Sequence, residues 1–452
     1  MKHHLNGRSI FVAALNSASG KEPLIHMPAF FYTLLVLLLS CAGEILAEPV
    51  VIRGARFADL VGTPLDRIRL CDGHGRPIPF QIDELTAQGE YVCDRGEDAN
   101  GDSGNGLLDR EDEIVFLRED CRPCGESAEL WKKRRESGCT VQKILIRDGG
   151  EGGECRAAWI CNDTTAGLSN VHYINYDHGS QSVKTPWYFA RFGRDRFHFV
   201  TAGISTGKDG GWVDLTRELR IEISMRALWG LLPISFTEDN LICFVKRYKT
   251  GPIRLIRRGD FHLRLGLGIK GSRAAVNQIC YPQMVSVPVN VHIPVRFRSF
   301  FREAWLEMTP EVSKKGANYS FSLSGKGFSE RLGDTSAIDT LVSSRLNRNL
   351  FTITDQRSAV GWVLLTDLPE TDGIGSGFVL RRPSERDAIA ECGYRLMIHD
   401  VPKGRYDITN WVFFSQDGLK SIDRDFRGIT APAIVETGER TSPNLLPASV
   451  TR

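Results

Sequence analysis

Residues 285–297 read Val285-Ser-Val-Pro-Val-Asn-Val-His-Ile-Pro-Val-Arg-Phe297. Apolar residues hold every odd position, and Ser286, Pro288, Asn290, His292, Pro294 and Arg296 hold the even ones. A period of two places one side-chain set on each face of an extended chain, which is the pattern of a half-buried antiparallel strand. Proline cannot donate to a strand ladder, so Pro288 and Pro294 predict an edge or a bulge. The same alternation recurs outward from this run. Leu219, Ile221, Ile223 and Met225 alternate with Arg220, Glu222, Ser224 and Arg226. Phe261, Leu263, Leu265, Leu267 and Ile269 alternate with His262, Arg264, Gly266 and Gly268, and Tyr319, Phe321 and Leu323 alternate with serines. Helical patterns are short: Glu126–Ser137, Arg226–Leu232 and Leu419–Arg424. Strands joined by glycine-rich turns without intervening helices predict a mainly β chain of two or three antiparallel, sandwich-like domains.

Upstream, Ala29–Ala47 reads AFFYTLLVLLLSCAGEILA, uncharged until Glu44 and preceded by Lys2, Arg8 and Lys21. Its length suits a secretory h-region better than a spanning helix, so residues 1–47 are expected to be an export signal. Three endings compete: a cut after Ala42, a cut after Ala47, and lipidation of Cys41 in Leu38-Leu-Ser-Cys41. The protein is then expected in the periplasm, on the outer surface or outside the cell, and it meets a membrane only through this signal or a lipid on Cys41. Net charge is +2, which gives no global support for nucleic acid as a partner.

The expected divisions are a cysteine-rich β domain at 48–165, a β-sandwich at 166–312, a C-terminal β domain at 313–436 and a disordered tail at 437–452. Apart from Cys41 there are ten cysteines, seven of them between Cys71 and Cys161. In an exported chain that even number predicts structural disulfides, although connectivity cannot be read from spacing. Cys121-Arg-Pro-Cys124 also has the form of a redox pair or half of a zinc site. No second pair follows at zinc spacing, and no βαβ alternation surrounds it.

Residues 90–120 hold eleven carboxylates and three arginines. Asp98, Asn100 and Asp102 alternate around Gly101, and Asp109 and Asp112 follow. Short oxygen side chains around a glycine turn are how proteins surround Ca2+, so these five residues are the expected ligands of a structural calcium ion. The alternative is a solvated loop held by Asx-turns. Asp98 to Asp102 followed by Leu108 to Asp112 resembles the calcium loop of EF-hand and dockerin modules. It departs from that pattern in placing six residues, Ser103 to Leu108, between Asp102 and Asp109 where the pattern has three. The resemblance therefore implies the ion rather than the EF-hand fold. Arg76-Pro-Ile-Pro-Phe-Gln-Ile-Asp-Glu84 with Asp112-Glu-Ile-Val-Phe116 resembles uncharacterised exported bacterial proteins. It is also loosely similar to the N-terminal β-domain of some polysaccharide-processing enzymes, including rhamnogalacturonan lyases. That resemblance implies a β-sandwich near carbohydrate and carries no catalytic residue across.

Polysaccharide lyases need a cation for the uronate carboxylate and a base for the α-proton. Lys246, Arg247, Lys249, Arg254, Arg257 and Arg258, followed by His262, Tyr281 and His292, supply those residue types. Arg257, His262, Tyr281 and His292 are the catalytic candidates. Lys249, Arg254, Arg258 and the pair Trp187-Tyr188 are the ligand-binding candidates. Trp212, Trp305, Trp362 and Trp411 are further aromatics able to stack on sugar. No HExxH or Walker A loop is present. Two function classes follow. One is a non-catalytic binding or structural protein of the cell envelope that contacts glycan. The other is a lyase-like enzyme built on residues 246–292.

Overall fold

The computed structural model describes residues 48–125, 129–147, 154–194, 198–206, 211–264, 270–293, 296–299, 301–313, 319–323, 326–331, 342–344, 348–355, 360–367, 373–381, 389–416 and 434–437. The alternating runs become strands. Met284–Ile293 lies inside a ten-stranded antiparallel sheet. It pairs along its whole length with Gly404–Ser415, from Met284 opposite Phe413 to Ile293 opposite Gly404. On its other side, Lys270–Cys280 pairs only as far as Ser286. Pro288 therefore falls where one side of the strand has left its neighbour, and the missing N–H costs no ladder bond. Pro294 lies outside the described residues, as do 265–269 of the second alternating run.

A six-stranded sheet runs in the order Leu232–Thr237, Leu219–Ala227, Phe301–Ser313, Ile389–Ile398, Ile374–Arg381 and Val342–Ser344. Asn175–Asp177, Ser182–Lys184, Tyr188–Phe192, Phe199–Ser205 and Trp212–Thr216 form a five-stranded meander. These three sheets share one core. Val183, Tyr188, Phe199 and Ile204 come from the meander, Leu219, Met308 and Tyr394 from the six-stranded sheet, and Leu255, Val285 and Phe414 from the ten-stranded sheet. Tyr188 and Phe414 stack with ring centres 4.1 Å apart. The segments 166–312 and 313–436 thus share both large sheets, and Leu46–Arg452 is one compact unit.

Toward the N-terminus, Pro49–Arg53, Glu113–Leu117 and Phe80–Asp83 make a three-stranded sheet. It packs on the face of the ten-stranded sheet opposite the first core: Val115 and Leu117 meet Ile253, Ile256 and Ile279. Neighbours in sequence divide between the faces, Leu255 to one core and Ile256 to the other, so this part of the sheet is covered on both sides. A second sheet joins Ile68–Cys71, Cys155–Asn162 and Val141–Arg147 to the distant strand Ile434–Thr437. Residues 438–452, most of the expected tail, lie outside the described residues.

Two local expectations are corrected. Glu129–Glu136 is helical, within the expected 126–137, but of 226–232 only Leu228–Leu231 lies outside the paired strands, as a short hairpin connection rather than an α-helix. Leu228, Trp229 and Gly230 take φ of 48°, 57° and 96°, turning the chain between two strands. Residues 419–424 lie outside the described residues. The cysteines also differ from expectation. Among the described residues Cys124 pairs with Cys155, while Cys71, Cys93, Cys121, Cys139, Cys161, Cys243 and Cys280 are free thiols. The strands carry most of these thiols into apolar positions, where they behave as small hydrophobes. Cys71 and Cys161 lie with Trp131 and Trp159, and burial pushes their thiols up to about 11 and about 12. Cys121 is buried in a different cluster, so the Cys121–Cys124 motif is neither a redox pair nor a zinc half-site.

The Cys124–Cys155 bond closes a loop with a sequence separation of 31. Chain-entropy arithmetic makes it worth about 3–4 kcal/mol. Cys155→Ala should lower the urea midpoint accordingly, while Cys121→Ala should leave the disulfide intact by mass spectrometry.

Candidate functional site

The sequence places carboxylates inside two apolar strands, Asp83 in Phe80–Asp83 and Glu113 in Glu113–Leu117. Pairing sets them side by side, because Asp83 is the register partner of Glu113. Two adjacent buried carboxylates need a cation, and Arg254 supplies it. Its Nε donates to Asp83 Oδ2 at 2.8 Å, its Nη2 to Glu113 Oε2 at 2.6 Å, and its Nη1 to the Tyr281 hydroxyl at 3.0 Å. Lys249 Nζ lies 3.1 Å from Asp83 Oδ1, and Arg53 Nη2 lies 3.0 Å from Glu113 Oε1. The Tyr91 hydroxyl donates to Glu113, and the Gln81 amide donates to Asp83. Gln81 Oε1 in turn accepts the Ile253 and Arg254 N–H groups. Asp83 is 0 % exposed and Arg254 1 %.

This geometry sets the protonation states. Burial alone would raise Asp83, but the Arg254 and Lys249 charges and the Gln81 hydrogen bond outweigh it and hold the carboxyl below its ordinary value. Burial raises the Tyr281 phenol, against the opposing pull of Arg254. A raised phenol stays protonated at neutral pH, the wrong state for a general base.

The other candidates are dispersed. Arg257 is fully buried, donates to Gln278 and Gln181, and lies over the Phe192 ring at 4.1 Å. Arg258 pairs with Glu90, which Arg247 also holds at 2.8 Å. His262 is half-buried opposite Ile242 and Arg273. Along its strand it is seven residues from Leu255, the partner of Cys280, or about 23 Å from the Tyr281 end. His292 faces Arg405 in the ladder, near the far end of its own strand, and its side chain lies outside the described residues. Trp187 is half-buried against Tyr173, and Tyr188 is in the core. Of the set, Arg254, Lys249 and Tyr281 come together in one cluster, in which Arg254 and Tyr281 are buried and Lys249 is partly exposed.

The five acidic-loop residues also take separate roles. Asn100 Oδ1 accepts the Cys93 N–H. Asp112 accepts the Leu85 and Asp109 N–H groups, and Asp109 accepts the Asn105 amide. Asp98 and Asp102 are exposed. Among the described residues no group of three or more His, Cys, Asp or Glu side chains is placed to hold a metal.

Two features were not isolated from sequence. The first is the carboxylate half of the network. Its signal was present in Phe80-Gln-Ile-Asp83 and Glu113-Ile-Val-Phe116, since a carboxylate in an apolar strand demands a buried cation. The second is a surface shelf on the meander. Trp212 is 37 % exposed, with the Phe189 ring edge-on at 6.0 Å and Lys184 Nζ 5.5 Å from its ring centre. Lys184 and Phe189 are register partners on adjacent strands. Exposed Arg191 and Asp214 follow Phe189 and Trp212 by two residues and so share their faces. Gly203 lies beneath: a Cβ there would stand 3.1 Å from Phe189 and 3.2 Å from Asp214. Gly203-Ile-Ser205-Thr-Gly207 has the spelling of a hydrolase nucleophile elbow, but Ser205 is buried at a strand end opposite Trp212 rather than raised on a strand-to-helix turn.

No family model matches the chain, and no curated protein matches it in sequence. Several solved structures are similar at low levels. An α-mannosidase from Enterococcus faecalis V583 gives a TM-score of 0.43 at 7% identity, covering 88% of this chain and 45% of its own. A glycosyl hydrolase family 38 protein from Enterococcus faecalis gives 0.35 at 7%, covering 88% and 46%. A family 36 α-galactosidase from Geobacillus stearothermophilus gives 0.26 at 9%, covering 54% and 41%. This chain spans less than half the length of each of these proteins.

Removing Arg254 should leave two buried carboxylates without their shared cation. Arg254→Met is expected to cost about 3–5 kcal/mol in urea unfolding. Asp83 is depressed, so its contribution is present above the unfolded carboxylate value of about 3.9 and is lost as pH falls through the lower folded value. The wild-type protein should therefore lose stability on acidification below pH ~4.

Proposed function

We propose that this chain is an exported, non-catalytic β-protein of the cell envelope that contacts acidic glycan through the Lys184–Phe189–Trp212 shelf. The observation that carries this reading is the exposure of Trp212 between an ammonium group and a second aromatic ring. A pyranose offers an apolar C–H face to an indole, and a carboxylate substituent suits Lys184 or Arg191 at the rim. The arrangement has no need of a general base. The burial of Arg254 and Tyr281 supports the same reading, because a lyase would need those groups open to substrate.

The test is calorimetric binding with a panel of acidic and neutral polysaccharides, run beside ultraviolet absorbance for unsaturated products. Binding to an acidic polymer is expected without new absorbance. Trp212→Ala should weaken binding at least tenfold and leave the melting temperature within a degree or two. Absorbance that grows with time and vanishes in Tyr281→Phe would replace this reading with the lyase.

Calcium enters the proposal through the exposed carboxylates Asp98 and Asp102, since Asn100 and Asp112 already accept backbone N–H groups. So small a ligand set implies affinity no better than about 10⁻⁴–10⁻³ M. Millimolar calcium should raise the melting temperature slightly relative to a chelator. Superimposed melting curves would remove the ion from the account.

A further inference from the structure

We infer that the mature chain begins at Glu48, and that cutting the Ala47–Glu48 bond creates an α-ammonium group for which the Glu119 carboxylate is the built receptor. The inference rests on the proposal that the chain is exported. The Glu48 nitrogen lies 3.1 Å from Glu119 Oε1 and 3.0 Å from Oε2. A peptide nitrogen carries one hydrogen, so it must divide that hydrogen between two oxygens. An ammonium carries three hydrogens and a full charge, and satisfies both oxygens at once.

The rest of Glu48 is equally fixed. Its carbonyl accepts the Arg118 N–H at 2.9 Å, and its carboxylate takes Arg118 Nη1 at 3.0 Å. The strand Pro49–Arg53 begins at the next residue. This is therefore an anchored position, one residue before the sheet, rather than a passing point on the chain. The residues ahead of it, Ile45-Leu-Ala47, end in a small side chain, as a signal-peptidase cut requires. Hydrolysis adds water across the amide: Ala47 keeps a carboxylate, and the Glu48 amine takes a proton from solvent.

The charge surroundings agree. Burial pushes the Glu119 carboxyl up to about 8, and the hydrogen bond from the uncut Glu48 N–H only partly offsets this. The Glu48 carboxylate raises it further and Arg156 lowers it, while Asp120 is hydrogen-bonded to Tyr173 and Arg156 is also held by Glu154. An ammonium at 3 Å would give this carboxylate a close counter-charge and favour its ionised form. Of the endings open in the sequence, only the cut after Ala47 delivers that charge. A cut after Ala42, or a lipid on Cys41, leaves a neutral amide against Glu119.

The experiment expresses the full chain with export and, separately, in a cytosol where the leader is retained. Edman sequencing and intact mass identify the N-terminus, and melting is compared with Glu119→Gln in both forms. The expected result is Glu48 as the first residue, with Glu119→Gln lowering the melting temperature by several degrees in the exported form and by clearly less in the uncut form. A mature chain starting at Gly43, or at a lipidated Cys41, overturns this inference and leaves the exported reading standing. Retention of Met1 through export conditions overturns both. Equal effects of Glu119→Gln in the two forms overturn the docking of the ammonium even if the cut is at Glu48.

Discussion

The Arg254 guanidinium is the centre of the polar network that joins the N-terminal sheet to the large sheet. Arg254 is buried and cannot lose its charge, so its place in the interior is stable only while Asp83 and Glu113 stand beside it. Those carboxylates come from two strands of the small sheet, whereas Arg254 and Tyr281 belong to the chain that builds the large one. Their hydrogen bonds specify how the two sheets meet, and apolar contacts among Val115, Leu117, Ile256 and Ile279 close the gap around them. Apolar burial supplies the attraction, which is non-directional, and the charged network supplies the register.

The requirement spreads into neighbouring backbone. Gln81 reaches across to bind the N–H groups of Ile253 and Arg254, bringing its side chain against Gly251, where a Cβ would stand 2.0 Å from the amide oxygen. Glycine is thus needed at 251 because the turn before Arg254 is wrapped around a side chain of another sheet. The Tyr173 N–H binds Pro252 O, which ties the start of the meander to the same turn.

The network also separates structural chemistry from surface chemistry. Arginines, tyrosine and carboxylates in one cluster are the residue types of an active site, and in sequence they invite that reading. Here each group is occupied by another, and burial keeps the phenol protonated. Exposed charged and aromatic groups lie elsewhere, among them Lys184, Arg191 and Trp212 on the meander. The shelf and the joint use different residues, so the shelf can be altered without loosening the joint.

Alternation was enough to reveal strands, because a period of two is a local property and burial of one face enforces it. Val285, Val287 and the residues opposite them fall as their spacing predicts, and Pro288 marks the place where pairing on one side ends. The 226–232 segment defeated local reading: its leucines and tryptophan have helical composition, yet the flanking strands pair and force a left-handed turn. Sheet order was not legible, since the contacts of Phe301–Ser313 with Leu219–Ala227 and Ile389–Ile398 bridge some eighty residues in each direction. The disulfide partner of Cys124 and the partners of Arg254 were hidden for the same reason. Sequence by itself determined which residues are extended and which face is apolar, through side-chain geometry along the chain. Tertiary structure decided which charges are buried together and which aromatics stay in water, because desolvation depends on neighbours that only folding supplies.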